Sequence, residues 1–343
     1  MKITTIGLDL AKSVFQVHGV NAQGHTVLTR QLRREQLSAF FAKLPPCLIG
    51  MEACASAHHW ARLLRDQGHD VRLIAAQFVK PYVKSNKNDA ADAQAICEAV
   101  TRPSMRFVAI KSVEQQAVLS LHRAREGFVK ARSAAANQIR GLLAEFGLIL
   151  PQGIAHVTRR VPALLESALA RLPGPFVELI RTLVEHLRAL DTQVQALERA
   201  IVHGHRANPV SQRLAQLPGI GPITASALAA SVGDPRLFKN GRQLAAWLGL
   251  VPRQHSSGGK ATLLGISKRG DGYLRKLLLL GAQSVLIRAR AQADRTTWLG
   301  QLLVRRPLNV VAIALANKNA RIAWALMAHD TPYDPGHTLS RAH

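Results

Sequence analysis

Acidic side chains are scarce in this chain: 21 Asp and Glu stand against 45 Lys and Arg over 343 residues, a formal charge of +24. Such a balance says little about fold but selects polyanions as partners. Cysteine is almost absent too. Cys47, Cys54 and Cys97 show no Cys-x-x-Cys spacing, which argues against a zinc site and for a reducing compartment. No apolar run approaches the roughly 20 residues needed to cross a bilayer. Asp9 falls where a signal peptide needs its apolar core, so the expectation is a cytoplasmic protein with no membrane partner. The 14 histidines, His58 and His59 among them, lack paired ligand spacing and read as structural or phosphate-facing. Nucleotide loops are missing as well. In Leu217–Ala225 the third glycine of a dinucleotide fingerprint is replaced by Thr224, and the phosphate-loop pattern ending near Lys260 breaks at Gln254 and Ala261.

The positive charge is uneven. Residues 1–100 hold 12 basic and 8 acidic groups, residues 101–205 hold 14 and 8, and residues 206–343 hold 19 and 5. Against that background four acids stand out. Asp9 ends the apolar, β-branched run Ile3–Asp9, and Glu52 ends Cys47–Glu52. Asp89 and Asp92 lie three apart, which puts both on one face of a helix. Carboxylates gathered at strand ends repel one another. A hard cation with oxygen ligands removes that repulsion, and Mg²⁺ is the standard partner of phosphate chemistry.

Residues 1–110 read as α/β, with strands expected at 3–9, 14–20, 26–31, 47–51 and 70–75 and helices near 35–43 and 57–67. A meander of three strands followed by βαβ, with acids at strand ends, predicts a ribonuclease-H-like sheet. From 112 to 147 a long Ala-rich helix carries Arg123, Arg125, Lys130, Arg132 and Arg140, either as a solvated face or as contacts to a nucleic-acid backbone. Residues 176–201 hold a heptad: Phe176, Leu183, Leu190 and Leu197 form one series, Ile180, Leu187, Val194 and Ile201 the other. Two apolar positions per heptad make a coiled-coil seam, expected here between subunits rather than within one. Residues 203–209 read as a linker, and 211–330 as mostly helical. The domains expected are 1–155, 156–208 and 209–343.

Two further motifs carry chemistry. Leu217-Pro218-Gly219-Ile220-Gly221-Pro222 is the turn of a helix-hairpin-helix element, where Gly219 and Gly221 let the backbone approach a phosphate and the following helix offers free N–H groups. Such an element binds sugar-phosphate without reading sequence. The second is Pro252–Lys260, a flexible Ser256-Ser257-Gly258-Gly259 loop with Arg253, Lys260, Lys268 and Arg269 around it. A serine attacks a phosphodiester only if its proton can leave and the charge that develops is neutralised. These cations could do the second, although such a loop is more often only a loop.

Taken together, Gly7–Lys12, Met51–Cys54, Lys87–Asp92, Leu217–Gly221 and Gly249–Arg253 with Ser257 resemble the DEDD transposases of bacterial insertion sequences, the insertion sequence 110 family. Ala57-His58-His59-Trp60 is similar to its 1111 subgroup. The resemblance runs in order over nearly the whole chain. It departs after Glu52, where many relatives have Glu-Ala-Thr-Gly and this chain has Glu52-Ala53-Cys54-Ala55. It implies a RuvC-like (ribonuclease-H-like) N-terminal domain, a coiled coil and a mostly α transposase domain. It also implies an acidic tetrad of Asp9, Glu52, Asp89 and Asp92 holding Mg²⁺, and a 5′-phosphoserine intermediate on Ser257, with adjacent Ser256 as the other choice. A structured guide RNA (bridge or seeker RNA), donor and target double-stranded DNA, and a homodimer assembling into a homotetramer would be the partners. Two rivals belong to other classes. A hydrolytic junction resolvase would use the acids and water alone, and a nucleic-acid scaffold would use only the positive charge and the hairpin.

Overall fold

In the computed structural model, residues 2–84, 88–168, 171–292 and 296–335 are described, so Lys87 and the far C-terminus lie outside the description. The chain divides into two compact units, Met1–Val113 and Glu114–His343.

The first unit is a six-stranded sheet in the order β3-β2-β1-β4-β5-β6. Strands β1 (Thr5–Leu10), β2 (Val14–Val20) and β3 (Thr26–Arg33) form an antiparallel meander. After α1 (Leu37–Phe41), β4 (Leu48–Glu52) joins parallel to β1. Helix α2 (Ala57–Asp66) then leads to β5 (Asp70–Ile74), parallel to β4. Helices α3 (Ala76–Val79) and α4 (Asp89–Val100) precede β6 (Phe107–Val108), which returns antiparallel to β5. The five expected strands all form. The sixth was not expected, because two residues are too short to show alternation.

Strand alternation sorts the side chains into layers. Ile6, Leu8, Phe15, Val17, Ile49, Met51 and Leu73 pack with Leu37, Phe41, Trp60 and Leu64 of α1 and α2 in one core. The opposite face takes α4, whose Ala95, Ile96, Ala99 and Val100 join Ile74 in a second core.

The second unit opens with α5 (Val113–Ala144), α6 (Ile154–Ala168) and α7 (Gly174–Arg206). These share a core of Ala135, Ile139, Leu143, Val157, Val161, Val177, Ile180, Val184, Leu187 and Leu190. By packing, α5 goes with α6 and α7, so the first compact unit ends at 113, whereas the expected N-terminal domain runs to 155. One correction follows: the heptad face expected to pair subunits is covered within the chain, where Leu187 is fully buried and Leu190 is 7% exposed against α5 and α6. A two-position stripe has the same appearance whichever helix covers it. Arg125 and Arg132, offered as backbone contacts or a solvated face, instead pair with Glu198 and Asp191 of α7.

The expected linker also shortens. Helix α7 continues through His203 to Arg206, and the break falls at Asn208, whose side chain caps α8 (Pro209–Leu214) by accepting from Ser211 N–H at 2.9 Å. Then follow α9 (Pro222–Val232), α10 (Gly241–Trp247), the two-stranded β7 (Pro252–Gln254) and β8 (Leu263–Ile266), and α11 (Gly272–Gln292), α12 (Trp298–Arg305) and α13 (Leu308–His329). Leu214, Leu228, Leu244, Leu274, Leu278 and Val311 centre a fourth core. No described helix is long and apolar enough to cross a membrane.

Candidate active site and nucleic-acid interface

Two glycines place the acids. Gly7 and Gly50 are paired across β1 and β4. A methyl group on Gly7 would overlap the Ala93 carbonyl and the Cys97 nitrogen, and one on Gly50 would stand 2.7 Å from Val100 Cβ. The missing side chains let α4 lie directly on the sheet. Asp9 and Glu52 are each two residues beyond these glycines, hence on the same face as α4. Asp89 and Asp92 occupy the first turn of that helix, which Asn88 caps by accepting from Ala90 N–H at 2.9 Å. First-turn acids are also what a helix N-terminus favours, so their position alone is not diagnostic.

Their convergence is more telling. Carboxylate oxygens of Asp9, Asp89 and Asp92 all lie within 4.8 Å of one another. Glu52 is not in that trio, although its charge reaches Asp9. Burial, then Asp92, Asp89 and Glu52, push the Asp9 carboxyl up to about 6. An all-oxygen donor set of three carboxylates, with no ion pair to any of them among the described residues, fits a hard divalent cation such as Mg²⁺. The backbone after Glu52 is held by Ala53 N–H to Ile74 O at 2.8 Å and Cys54 N–H to Glu52 O at 2.9 Å. Cys54 is half-buried, and its thiol is raised by burial and then by Glu52 and Asp9; Cys47 and Cys97 are buried, and all three are free.

Ser257 lies in the second unit, on the hairpin joining β7 and β8. Ser257 pairs with Lys260, whose N–H donates to Ser257 O at 3.0 Å, and Gly258 and Gly259 both have positive φ, 54° and 77°. That is a two-residue turn of the primed kind, for which glycine is needed. The expected flexible loop is therefore a tight hairpin, and its glycines serve the turn. The two serines differ. Ser256 Oγ accepts from Gln254 Nε2 at 3.0 Å and Thr262 N–H at 3.3 Å, which ties it into the hairpin. Ser257 Oγ has no hydrogen bond among the described residues, and Ser257 is exposed. Arg253 and Lys260 on the hairpin, and Lys268 and Arg269 after it, are all exposed.

At the helix-hairpin-helix turn the two glycines have different reasons. Gly219 has φ of 88°, and its close neighbour is Gly281 of α11: a methyl on Gly219 would stand 2.8 Å from Gly281 O, and one on Gly281 would overlap Gly219 O. Gly221 caps α9, with nothing within 4 Å of a Cβ placed on it. The turn is anchored by buried Asn319, which donates to Pro218 O at 2.9 Å.

Sequence reasoning missed Gly7 and Gly50. A glycine inside a β-run, as in Ile6-Gly7-Leu8 and Ile49-Gly50-Met51, was the available signal.

Comparison with known proteins adds the family. Residues 211–299 match the family described as "Transposase IS116/IS110/IS902 family", and residues 6–147 match the DEDD transposase family of IS110 type. A "Probable family 20 transposase" of Pseudomonas aeruginosa is 57% identical, covering 98% of this chain and 100% of its own length. "Transposase for insertion sequence element IS1328" of Yersinia enterocolitica is 46% identical over 96% of this chain and 98% of its own length. "Transposase for insertion sequence element IS1111A" of Coxiella burnetii is 44% identical over 97% and 92%.

Proposed function

The chain belongs to the IS116/IS110/IS902 family of insertion-sequence transposases, enzymes that cut and rejoin DNA, and from that premise we propose that it is an RNA-guided recombinase working through a phosphoserine. The observation that carries the proposal is the convergence of Asp9, at the end of β1, with Asp89 and Asp92 of α4, and the sheet order, with three antiparallel strands and then two parallel ones, supports a ribonuclease-H-like reading.

Asp9, Asp89 and Asp92, with Glu52 beside Asp9, would hold Mg²⁺. The cation, when bound, neutralises phosphate charge and orients the scissile phosphodiester. Ser257 is the nucleophile of choice over Ser256, because its hydroxyl is uncommitted and stands at the tip of a hairpin. Attack of Ser257 Oγ on phosphorus forms a serine–phosphate ester and releases a 3′-hydroxyl. The serine proton leaves to solvent or a neighbouring base, and Arg253, Lys260, Lys268 or Arg269 offset the developing charge. The ester keeps the energy of the broken bond, so an incoming 3′-hydroxyl can reseal the strand without ATP.

Guidance by RNA accords with a chain of formal charge +24 whose helix-hairpin-helix element would hold sugar-phosphate without reading sequence. Pairing would then supply specificity and the protein would hold backbones. A homotetramer of two dimers would join two duplexes.

The test is strand cleavage of a plasmid bearing both element ends. Cleavage should need Mg²⁺ and a transcript from the DNA flanking this gene, and should vanish in Asp9→Asn. Cleavage without the transcript would remove RNA guidance. Cleavage retained by Asp9→Asn would remove the acidic site.

A further inference from the structure

Beyond the acids and the serine, the second unit holds a groove of about 480 Å³ between the 217–221 turn and α11. Its floor exists because Gly219 and Gly281 touch without side chains, which brings α11 across the turn. Ser284 and Arg288 follow Gly281 by three and seven residues, on the same helix face, and both line the groove. On the opposite wall is the start of α9. Its first internal bond is Ala225 N–H to Gly221 O, so the N–H groups of Ile223 and Thr224 precede it, and no side chain caps them. Thr224 also lines the groove. It is 7% exposed, yet its hydroxyl makes no hydrogen bond among the described residues. Arg288 is exposed and has no ion pair among them either. Ser284 Oγ donates to Gly281 O at 2.8 Å, so it narrows the wall rather than offering a donor.

We propose that this groove clamps a phosphate of a nucleic-acid backbone between Arg288 on α11 and the hydroxyl and N–H of Thr224 on α9. The uncommitted Thr224 hydroxyl, the Ile223 and Thr224 N–H groups and the Arg288 guanidinium can all donate, as an anion requires. None is placed to read a base edge, so the clamp is indifferent to sequence. The inference rests on the reading that the chain binds nucleic acid, and it names the residues that would do so. DNA and RNA offer the same phosphodiester.

The test measures binding of the full-length chain to a random-sequence DNA duplex and to a single-stranded RNA of equal length, over a range of salt. Arg288→Gln should weaken binding roughly tenfold and lower the slope of log affinity against log salt by about 0.9 for the duplex or about 0.7 for the single strand. Thr224→Val keeps the buried shape and should weaken binding several-fold, with the slope unchanged. Loss confined to one probe supports the clamp and names its ligand. Wild-type affinity and slope in both variants would overturn the clamp while leaving the transposase reading intact. Binding of neither probe by the unmodified protein would overturn the clamp together with the nucleic-acid-binding reading it rests on.

Discussion

Gly7 and Cys97 are in backbone contact: the nitrogen of Cys97 occupies the space a side chain at position 7 would need. The acidic site follows from that contact, since it fixes where the first turn of α4 stands relative to the end of β1. Gly7→Ala should therefore lift α4 and destabilise the protein by about 1–3 kcal/mol. Cleavage should fall further than the stability loss accounts for. Gly141→Ala, in α5 with nothing near its Cβ, is the control and should be neutral or stabilising by roughly 0.5–1 kcal/mol. Urea unfolding of the two variants checks both.

Asp9 should work against the fold at neutral pH. Its folded-state pKa is raised, to about 6 from 3.8, so whatever it contributes to stability is present below 3.8 and lost as pH rises through 6. Asn imitates the protonated form. In EDTA at pH 7.5, Asp9→Asn should be more stable than wild type by about 1 kcal/mol, once solvent screening of this half-exposed group is discounted. Nucleic-acid affinity should hold or rise, because a charge that repels phosphate is gone. A thermal melt and a binding isotherm test the two halves.

His122 should make the second unit acid-sensitive. It is 1% exposed, with Nδ1 2.9 Å from Tyr273 Oη and Nε2 3.3 Å from Ser226 Oγ, so α5, α9 and α11 meet on one neutral imidazole. Burial, then Arg125, lower it to about 4 from 6.5. The unfolded chain binds the proton first, so this stability is complete above pH 6.5 and lost on acidification towards 4. The loss should amount to about 3 kcal/mol. His122→Gln should flatten that part of the stability–pH curve, measured by urea unfolding.

Leu187→Lys should unfold rather than dissociate the protein. A fully buried Leu replaced by Lys in the shared core of α5, α6 and α7 loses more than the roughly 2–5 kcal/mol typical of truncation to Ala. Leu179→Lys, at a 45% exposed position on the same helix, should melt as wild type does. A stable, folded Leu187→Lys protein of lower sedimenting mass would return the seam to the subunit interface.

Much of the first unit was legible because β-branched alternation and acids at strand ends are local signals. Ile3–Asp9 and Cys47–Glu52 showed both the strands and the residues that end them. Asp89 and Asp92 were legible through spacing. The partner of the α7 stripe was not, since Leu187 and Leu190 look the same whether α5 or another subunit covers them. Nor was the glycine chemistry, because Gly219 and Gly281 are far apart in sequence and only the fold joins them. Ser256 and Ser257 could not be separated until the hairpin hydrogen bonds showed that one hydroxyl is committed and the other is not.

The central claim is that the broken phosphodiester is stored on Ser257. Its most direct measurement is mass spectrometry of peptides from a reaction trapped on a substrate with a nick opposite the cleavage site, so that strand exchange cannot finish. A DNA-linked peptide carrying the modification on Ser257, absent in Ser257→Ala, is the expected result. An adduct on Ser256 would move the nucleophile by one residue. Simple nicks with no adduct would contradict the account and favour hydrolysis at the acidic site alone.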